Sequence, residues 1–231
     1  MYIFVFVKDF TGEALDFLKD IIIILIIVLV MRTFFIMPFK INGQSMYESY
    51  YDKQFIIVDR LSYRDIPFVW SIQEVERWDV VVFAPWVSQD RKYFIKRVLG
   101  LPGETLKIEW GKVYIKQVNA SEFIEVDEQE YLSEENENKT IVRWESGEVV
   151  YEIPEDSYFV MGDNRNHSTD SRTCFQSCSV RDNYVVPWEI IWKVLFDLGY
   201  FNFRNFSFMH PDLGISTKPK FFNGLGSYNY E

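Results

Sequence analysis

This chain of 231 residues has few cysteines and histidines, and its acidic residues outnumber its basic ones. Its only cysteines, Cys174 and Cys178, cannot supply the four ligands of a structural zinc site. His167 has only His210 as a possible imidazole partner for a metal. The formal net charge of −10 argues against nucleic acid, because phosphate binding requires clustered Lys and Arg. We therefore expect no metal, no organic cofactor and no nucleic-acid partner.

One long apolar run lies near the N-terminus. Residues 21–31, IIIILIIVLVM, are wholly apolar, and the run resumes after Arg32 and continues to Phe39. A helix that spans a bilayer needs about 20 residues, and Ile21 to Phe39 supplies 19, with Arg32 near the end where it can reach the interface. No A-x-A cleavage site follows, which disfavours a removable signal peptide. The run predicts one uncleaved transmembrane helix.

The rest of the chain is typical of a mainly β protein. Short runs rich in Val, Ile, Tyr, Phe and Trp are punctuated by Gly, Pro, Asp or Asn, as in DVVVFAPW, YFIKRVLGL, ETLKIEW and SYFVMGD. Many short strands at this spacing favour an antiparallel β-sheet or β-barrel-like domain over residues 40–231. Only segments such as residues 63–77 and 187–198 are candidates for helical turns.

Negative charge is concentrated in one segment. Residues 122–137 contain eight acidic residues and no basic one. A run of this kind predicts a solvated, mobile loop remote from any chemistry. We place it in an insertion of about residues 117–153, which we expect to form a smaller β subdomain.

Lys96 occupies an unusual position in YFIKRVLG, residues 93–100. Strand alternation puts it on the same face as Phe94 and Val98. The common explanation is a lysine whose ammonium extends to solvent at the sheet edge. The alternative is a buried amine whose pKa is lowered, so that its neutral form can accept a proton. That alternative requires a nucleophile elsewhere in the chain.

Ser45 is the candidate nucleophile. It follows a Gly-containing turn in INGQSMYESY, and a serine hydroxyl needs an adjacent base such as a neutral lysine. A third segment, YFVMGDNRNHSTDSR, is dense in polar side chains. There Asp170 and Arg172 suit a structural ion pair, and Ser168 is placed to orient a lysine ammonium. The alternative interpretation is a polar turn of backbone-capping side chains.

These segments together resemble the type I signal peptidases. The resemblance follows RTFFIMPF, NGQSM, IIVDRLSY, RWDVVVFAP, FIKRVLGLPGE and YFVMGDNRNHSTDSR in family order. It implies a membrane-anchored Ser–Lys endopeptidase that removes signal peptides from exported preproteins. By resemblance Ser45 is the nucleophile, Lys96 the general base and Ser168 the residue that orients the lysine, while Asp170 and Arg172 hold the site together.

The serine motif departs from the family pattern at two positions. The usual S-M-x-P-T reads Ser45-Met46-Tyr47-Glu48-Ser49, without the proline. Gly43 stands where some members carry a hydroxyl that donates to the oxyanion. We therefore expect the oxyanion and substrate contacts to come from backbone groups at Gly43, Ser45 and Met46. The implied substrate is an extended peptide, small at the first and third positions before the cut, that pairs as an added strand.

The resemblance also implies a topology. Flanking charges do not decide the orientation of the apolar run. The family's function places residues 1–39 as a cytoplasmic segment and single anchor in the plasma membrane. Residues 40–231 are then extracytoplasmic, with the lipid bilayer and signal peptides as partners. In that oxidising compartment we expect a disulfide between Cys174 and Cys178, with a free dithiol as the alternative.

Two other functions remain open from the sequence. One is another Ser–Lys peptidase of the same fold, such as a self-cleaving repressor, which the anchor and the lack of a DNA-binding segment disfavour. The other is a catalytically inactive, membrane-tethered β-domain that binds exported proteins. The joint presence of Ser45, Lys96 and Ser168 disfavours that second alternative.

Overall fold

The computed structural model describes most of the chain in two compact units. The first covers residues 1–37 and the second residues 38–231. The described residues are 2–47, 49–59, 74–85, 93–142, 147–176, 178, 182–202, 207–209 and 220–221. Part of one segment expected to form helical turns, residues 63–73, lies outside them.

The N-terminal unit consists of one helix. This helix, α1, runs over Tyr2–Val30 and continues as a π-helical turn over Met31–Phe35. The helical backbone ends at Ile36, which is extended (φ −133°, ψ 148°), just before Pro38, which a helix interior does not accommodate. None of the helices within the described residues combines the length and apolar character needed to cross a membrane.

The described strands are, in chain order, β1 (Ile36–Lys40), β2 (Phe55–Asp59), β3 (Val80–Phe83), β4 (Phe94–Gly100), β5 (Thr105–Glu109), β6 (Lys112–Lys116), β7 (Ile124–Glu125), β8 (Val149–Glu152), β9 (Phe159–Met161), β10 (Ile190–Asn202), β11 (Ser207–Met209) and β12 (Lys220–Phe221). The larger sheet has the order β1-β2-β10-β3-β4-β9, with β11 and β12 also paired to β10. The pairings among β2, β3, β4, β9 and β10 are antiparallel. The expected mainly β fold with antiparallel sheets is confirmed.

The smaller sheet, β7-β6-β5-β8, lies in the sequence between β4 and β9. Its β5–β6 hairpin turns at Trp110 and Gly111, both at positive φ (51° and 81°), as a tight two-residue hairpin turn requires. Alternate side chains of β5 and β6 are buried, including Leu106, Ile108 and Val113. This alternation gives the sheet one core face and one solvated face.

One candidate for helical turns is mostly a strand instead. In residues 187–198 only Pro187–Glu189 forms a 3₁₀ turn, and the 13-residue strand β10 begins at Ile190. Ile190, Trp192 and Val194 alternate along it and are buried. These β-branched and aromatic residues fit a strand held between β2 and β3 better than a helix.

Strand β4 is the element that positions the site. It lies between β3 and β9, and Lys96 pairs with Val81 while Arg97 pairs with Val80 and Met161. Both faces of β4 are covered, so Lys96 and Arg97 are only 2% and 1% exposed. A strand covered in this way holds two cations inside the domain, where each needs a specific partner.

Candidate active site

Ser45 and Lys96 meet in the structure although 51 positions separate them in the sequence. The Lys96 Nζ lies 2.6 Å from the Ser45 Oγ. The same nitrogen donates a hydrogen bond of 2.7 Å to the carbonyl oxygen of Ile95. Because the side chain is 2% exposed, its amine does not extend to solvent. The serine hydroxyl and the lysine amine are therefore close enough for direct proton transfer.

Burial determines the protonation of this lysine. Loss of hydration lowers the pKa of Lys96 from 10.5 to about 8, against the opposing charges of Asp170 and Asp163, while Arg172 lowers it further. The Phe94 ring centre lies 5.7 Å from Nζ and contributes an apolar neighbour. A substantial fraction of the amine is therefore neutral at mildly alkaline pH, as a base requires.

The turn that carries Ser45 is held by local hydrogen bonds. Gly43 has a φ of +117°, in the left-handed region that glycine adopts without strain. Its amide donates to the Asp52 Oδ1 at 2.7 Å. The Tyr50 amide donates to the Met46 carbonyl at 2.7 Å, which holds the chain that follows the nucleophile. Since the Gly43 amide is occupied by Asp52, the expectation that it contacts the oxyanion does not fit this geometry.

Gly162 brings the third segment against the nucleophile. A Cβ at this position would lie 2.3 Å from the Ser45 carbonyl oxygen and 2.2 Å from the Ser168 Oγ. Only glycine permits so close an approach. The Asn164 amide donates to the same Ser45 carbonyl at 3.1 Å, and the Asn164 Nδ2 donates to the Gln44 carbonyl at 3.0 Å. The loop after β9, residues 162–172, is thus hydrogen-bonded directly to the turn that carries Ser45, here called the serine turn.

Ser168 lies next to this contact, but it is not hydrogen-bonded to Lys96. Its Oγ is buried and makes no hydrogen bond of regular geometry among the described residues, although the Ser168 hydroxyl helps to hold the pKa of Asp170 low. The Lys96 amine is instead in contact with Ser45 and Ile95. The role of Ser168 in orienting the lysine therefore stays a prediction.

Asp170 and Arg172 form a buried ion pair. The Arg172 Nε and Nη2 donate to the two carboxylate oxygens at 2.9 and 2.8 Å, and the Gly162 amide donates to the Asp170 Oδ2 at 3.0 Å. Burial raises the pKa of Asp170, but the Arg172 guanidinium and the Gly162 amide outweigh it and hold the pKa below its usual value. The carboxylate thus remains charged beneath the loop.

A second buried ion pair was not foreseen from the sequence. Arg97 donates to both carboxylate oxygens of Asp163, from Nε at 2.9 Å and Nη2 at 2.6 Å. Both residues are 1% exposed. The signal was present as an arginine inside an apolar strand, a position that requires an anionic partner. The partner itself lies 66 positions away and only the fold identifies it.

The acidic segment is not remote from the chemistry, so that expectation is wrong. Glu128 is buried and accepts two hydrogen bonds from Arg165, at 2.9 and 2.5 Å. Arg165 belongs to the loop that carries Ser168 and is itself 2% exposed. A buried guanidinium needs a carboxylate partner, and Glu128 is buried because it supplies that partner to Arg165.

A disulfide joins Cys174 and Cys178, directly after the loop. Cys174, Phe175 and Gln176 are all at positive φ (44°, 53° and 66°). The Phe175 ring packs against Phe83 and Phe94 at centroid distances of 5.4 and 6.0 Å. Among the described residues, no group of three or more Asp, Glu, His or Cys side chains is arranged to hold a metal ion.

Comparison with known proteins identifies the class and then the family. The family model for signal peptidase, peptidase S26, matches residues 14–188. Signal peptidase I P of Bacillus subtilis subsp. natto is 30% identical over 70% of this chain and 80% of its own length. Signal peptidase I of Bacillus licheniformis is 32% identical over 70% of this chain and 79% of its own length. The protein is therefore a serine endopeptidase. It belongs to the S26 family of signal peptidases, as its motifs predict.

One solved structure also aligns with the chain. A crystal structure of a signal peptidase I from Enterococcus faecalis covers 52% of this chain and 97% of its own, at 23% identity and a TM-score of 0.37.

Proposed function

We propose that this protein removes N-terminal signal peptides from exported preproteins, with Ser45 as nucleophile and Lys96 as general base. The observation that carries the proposal is the 2.6 Å contact between the Ser45 Oγ and a buried amine. Membership of the S26 family and the signal peptidase I relatives support the substrate class.

The proposed reaction has two stages. Neutral Lys96 accepts the proton of the Ser45 hydroxyl while the oxygen attacks the scissile carbonyl carbon. The carbon–nitrogen bond then breaks, the Lys96 ammonium gives its proton to the departing amine, and an ester of Ser45 remains. In the second stage Lys96 takes a proton from water, which attacks the ester and releases the signal peptide. The serine oxygen recovers its proton from the lysine.

The proposed oxyanion donors are backbone amides. The Gly43 amide already donates to Asp52, so we assign the role to Ser45 and Met46. Backbone donors at the start of a turn cost no reorganisation when negative charge develops on the substrate oxygen. We keep Ser168 as the residue that orients the lysine, because its buried hydroxyl makes no hydrogen bond of regular geometry among the described residues and is available to an amine that gains and loses a proton.

We further propose that residues 1–39 are a cytoplasmic segment and single membrane anchor, with residues 40–231 extracytoplasmic. The apolar run that begins at Ile21 supports an anchor, although its helical part ends at Phe35 and Ile36–Lys40 forms β1. The side chains of α1 from Ile21 to Val30 are all apolar and exposed. An exposed apolar surface of this length favours a lipid environment. Ser45 follows Phe39 by six residues, so the chain keeps the nucleophile close to where a membrane-embedded signal peptide would emerge.

Cleavage of a preprotein by the purified full-length protein tests the function. In detergent micelles the wild type should release a shortened product. N-terminal sequencing of that product should show that the residues at the first and third positions before the cut have small side chains. Ser45→Ala should release none. An intact preprotein after prolonged incubation with folded wild type would contradict the proposal.

A further inference from the structure

Glu128 is a buried carboxylate for which the proposed reaction has no use. It lies in the acidic segment, outside the serine turn, strand β4 and the loop of residues 162–172. We propose that Glu128 is a positioning residue: through Arg165 and Tyr131 it holds together the three segments that build the active site. The inference rests on the proposed function for its kinetic test, but the contacts that carry it are independent of that function.

The link to the loop runs through Arg165. Its Nη1 and Nη2 donate to the two Glu128 carboxylate oxygens, and Nη1 also donates to the Thr140 Oγ1 at 2.7 Å. The Arg165 Nε donates to the Gly162 carbonyl at 3.1 Å, and the Arg165 carbonyl accepts from the Arg172 Nη2 at 3.0 Å. Arg165 therefore connects both ends of the loop. Its orientation depends on Glu128, the carboxylate that balances its buried charge.

The link to the other two segments runs through Tyr131. Its hydroxyl donates to Glu128 and accepts from the Arg165 Nη2 at 3.2 Å. The Arg97 guanidinium lies 4.4 Å from the centre of the Tyr131 ring, and Arg97 is the neighbour of Lys96 in β4. The Tyr131 carbonyl accepts from the Ser49 Oγ at 3.3 Å, four positions after the nucleophile. One short piece of the acidic segment thus contacts the loop, the strand and the serine turn.

Small displacements of these segments matter because the reacting atoms are close together. Gly162 leaves no space for even a methyl group between the Ser45 carbonyl and Ser168. A shift of the loop therefore moves the serine turn relative to the Lys96 amine. Misplacement of a catalytic group by about 1 Å costs on the order of 100-fold in rate. Glu128 acts on the rate through this geometry, without touching substrate.

The acidic segment provides its own matched control. Glu130 lies two positions from Glu128, carries the same side chain and is exposed. Replacing either residue with glutamine removes one negative charge at nearly the same place in the chain. Only Glu128→Gln removes the anionic partner of Arg165. A general effect of charge on substrate attraction would appear in both variants, whereas a positioning effect would appear only in Glu128→Gln.

The experiment compares Glu128→Gln and Glu130→Gln in the full-length protein, with a peptide that carries alanine at the first and third positions before the cut. Glu128→Gln should lower kcat by about 10-fold or more and leave KM within about 2-fold. Glu130→Gln should match the wild type. Glu128→Asp keeps the charge and should recover part of kcat. Ile115→Val, in the core of the smaller sheet, controls for stability alone.

Hydrogen exchange provides a readout that does not depend on cleavage. The amides of Gly162 and Asn164 donate within this network, to Asp170 and Ser45. They should exchange faster in Glu128→Gln than in Glu130→Gln or Ile115→Val. If the wild type fails to cleave but this exchange pattern holds, the proposed function falls and the positioning role stands.

Two results would overturn the inference. One is a folded Glu128→Gln variant with wild-type kcat and wild-type exchange at Gly162 and Asn164. The other is a Glu128→Gln variant that loses no more kcat than Ile115→Val does, when both variants lower the melting temperature by the same amount. If Glu128→Gln does not fold, Glu128→Asp tests the same connection: it keeps the charge but shortens the side chain that binds Arg165, and wild-type kcat with wild-type exchange at Gly162 and Asn164 there would contradict the inference.

Discussion

At the scale of single residues, the site depends on one buried amine. A lysine that is 2% exposed and in contact with a serine hydroxyl is costly for the fold, because the charged form loses its hydration. The same cost makes the neutral form accessible near pH 8. Arginine would keep the positive charge but could not lose its proton. The proposed reaction therefore accounts for a lysine at this position, where packing alone would favour an apolar residue.

Lys96→Arg should abolish cleavage while leaving the fold intact. Ser45→Ala should fail to the same degree, because each variant removes one partner of a single proton transfer. The double variant should lose little more than either single one, since the two residues act as a unit. Peptide cleavage measures the loss, and circular dichroism checks the fold. Substantial turnover by a folded Lys96→Arg variant would show that this lysine is structural.

The rate should follow the protonation of the same amine. The pKa of Lys96 is lowered to about 8, mainly by burial, so kcat/KM should rise with pH and level off above that value. The measurement is a pH–rate profile on a peptide without titrating groups in this range. A profile flat from pH 6 to pH 10, or one that rises only near the ordinary lysine value, would contradict the assignment.

At the scale of elements, the kinked segment Ser171–Gln176 connects the loop to the disulfide. Three successive residues there, Cys174 to Gln176, are at positive φ although none is glycine. Left-handed backbone costs about 1 kcal/mol per residue, so some constraint must hold it. The covalent bond to Cys178 is one such constraint, and Phe175 packed on Phe83 and Phe94 is another.

Reduction of this disulfide should loosen the segment. In native protein without reductant, alkylation should add no mass, since Cys174 and Cys178 are bonded. The Cys174→Ser/Cys178→Ser variant should lower the melting temperature by a few degrees, because the bridge closes only a short loop. Turnover should fall a few-fold, since Phe175 packs against Phe94 beside Lys96. Two alkyl groups on correctly exported protein would refute the bonded state.

At the scale of the whole molecule, the site lowers the free energy of unfolding. A shift of the Lys96 pKa from 10.5 to about 8 corresponds to roughly 3 kcal/mol of lost stability. The cost is fully present below pH 8, where the lysine is charged in both the folded and unfolded states. It disappears between pH 8 and 10.5, where the unfolded chain binds a proton that the folded one does not.

Lys96→Met should therefore stabilise the protein at neutral pH. The apolar side chain removes the buried charge at similar length, and the expected gain is up to about 3 kcal/mol at pH 7. The gain should shrink as pH rises toward 10.5. Denaturant unfolding at pH 7 and pH 10 measures both quantities, with Lys139→Met at an exposed lysine as a control. A gain independent of pH would point to packing rather than to the charge.

The sequence alone determined the family of the protein and the residues on which the proposed chemistry depends. A lysine in an apolar strand, a serine after a glycine turn and a polar signature loop are each local patterns. Such patterns can be recognised in the sequence because they depend only on residue type and short-range spacing. The β-rich architecture followed in the same way from short β-branched and aromatic runs. The prediction was wrong for most of residues 187–198, where a strand forms because β2 and β3 pair with it on either side.

Only the tertiary structure decided how these patterns are held together. Nothing in a run of eight acidic residues distinguishes Glu128 from Glu130, yet one is buried against Arg165, 37 positions away, and the other is exposed. The pairing of Arg97 with Asp163, 66 positions apart, is likewise a contact between distant segments. The lysine pKa belongs with them, because burial is a property of the whole fold. Long-range contacts arise when the chain packs, and no single segment encodes its partner.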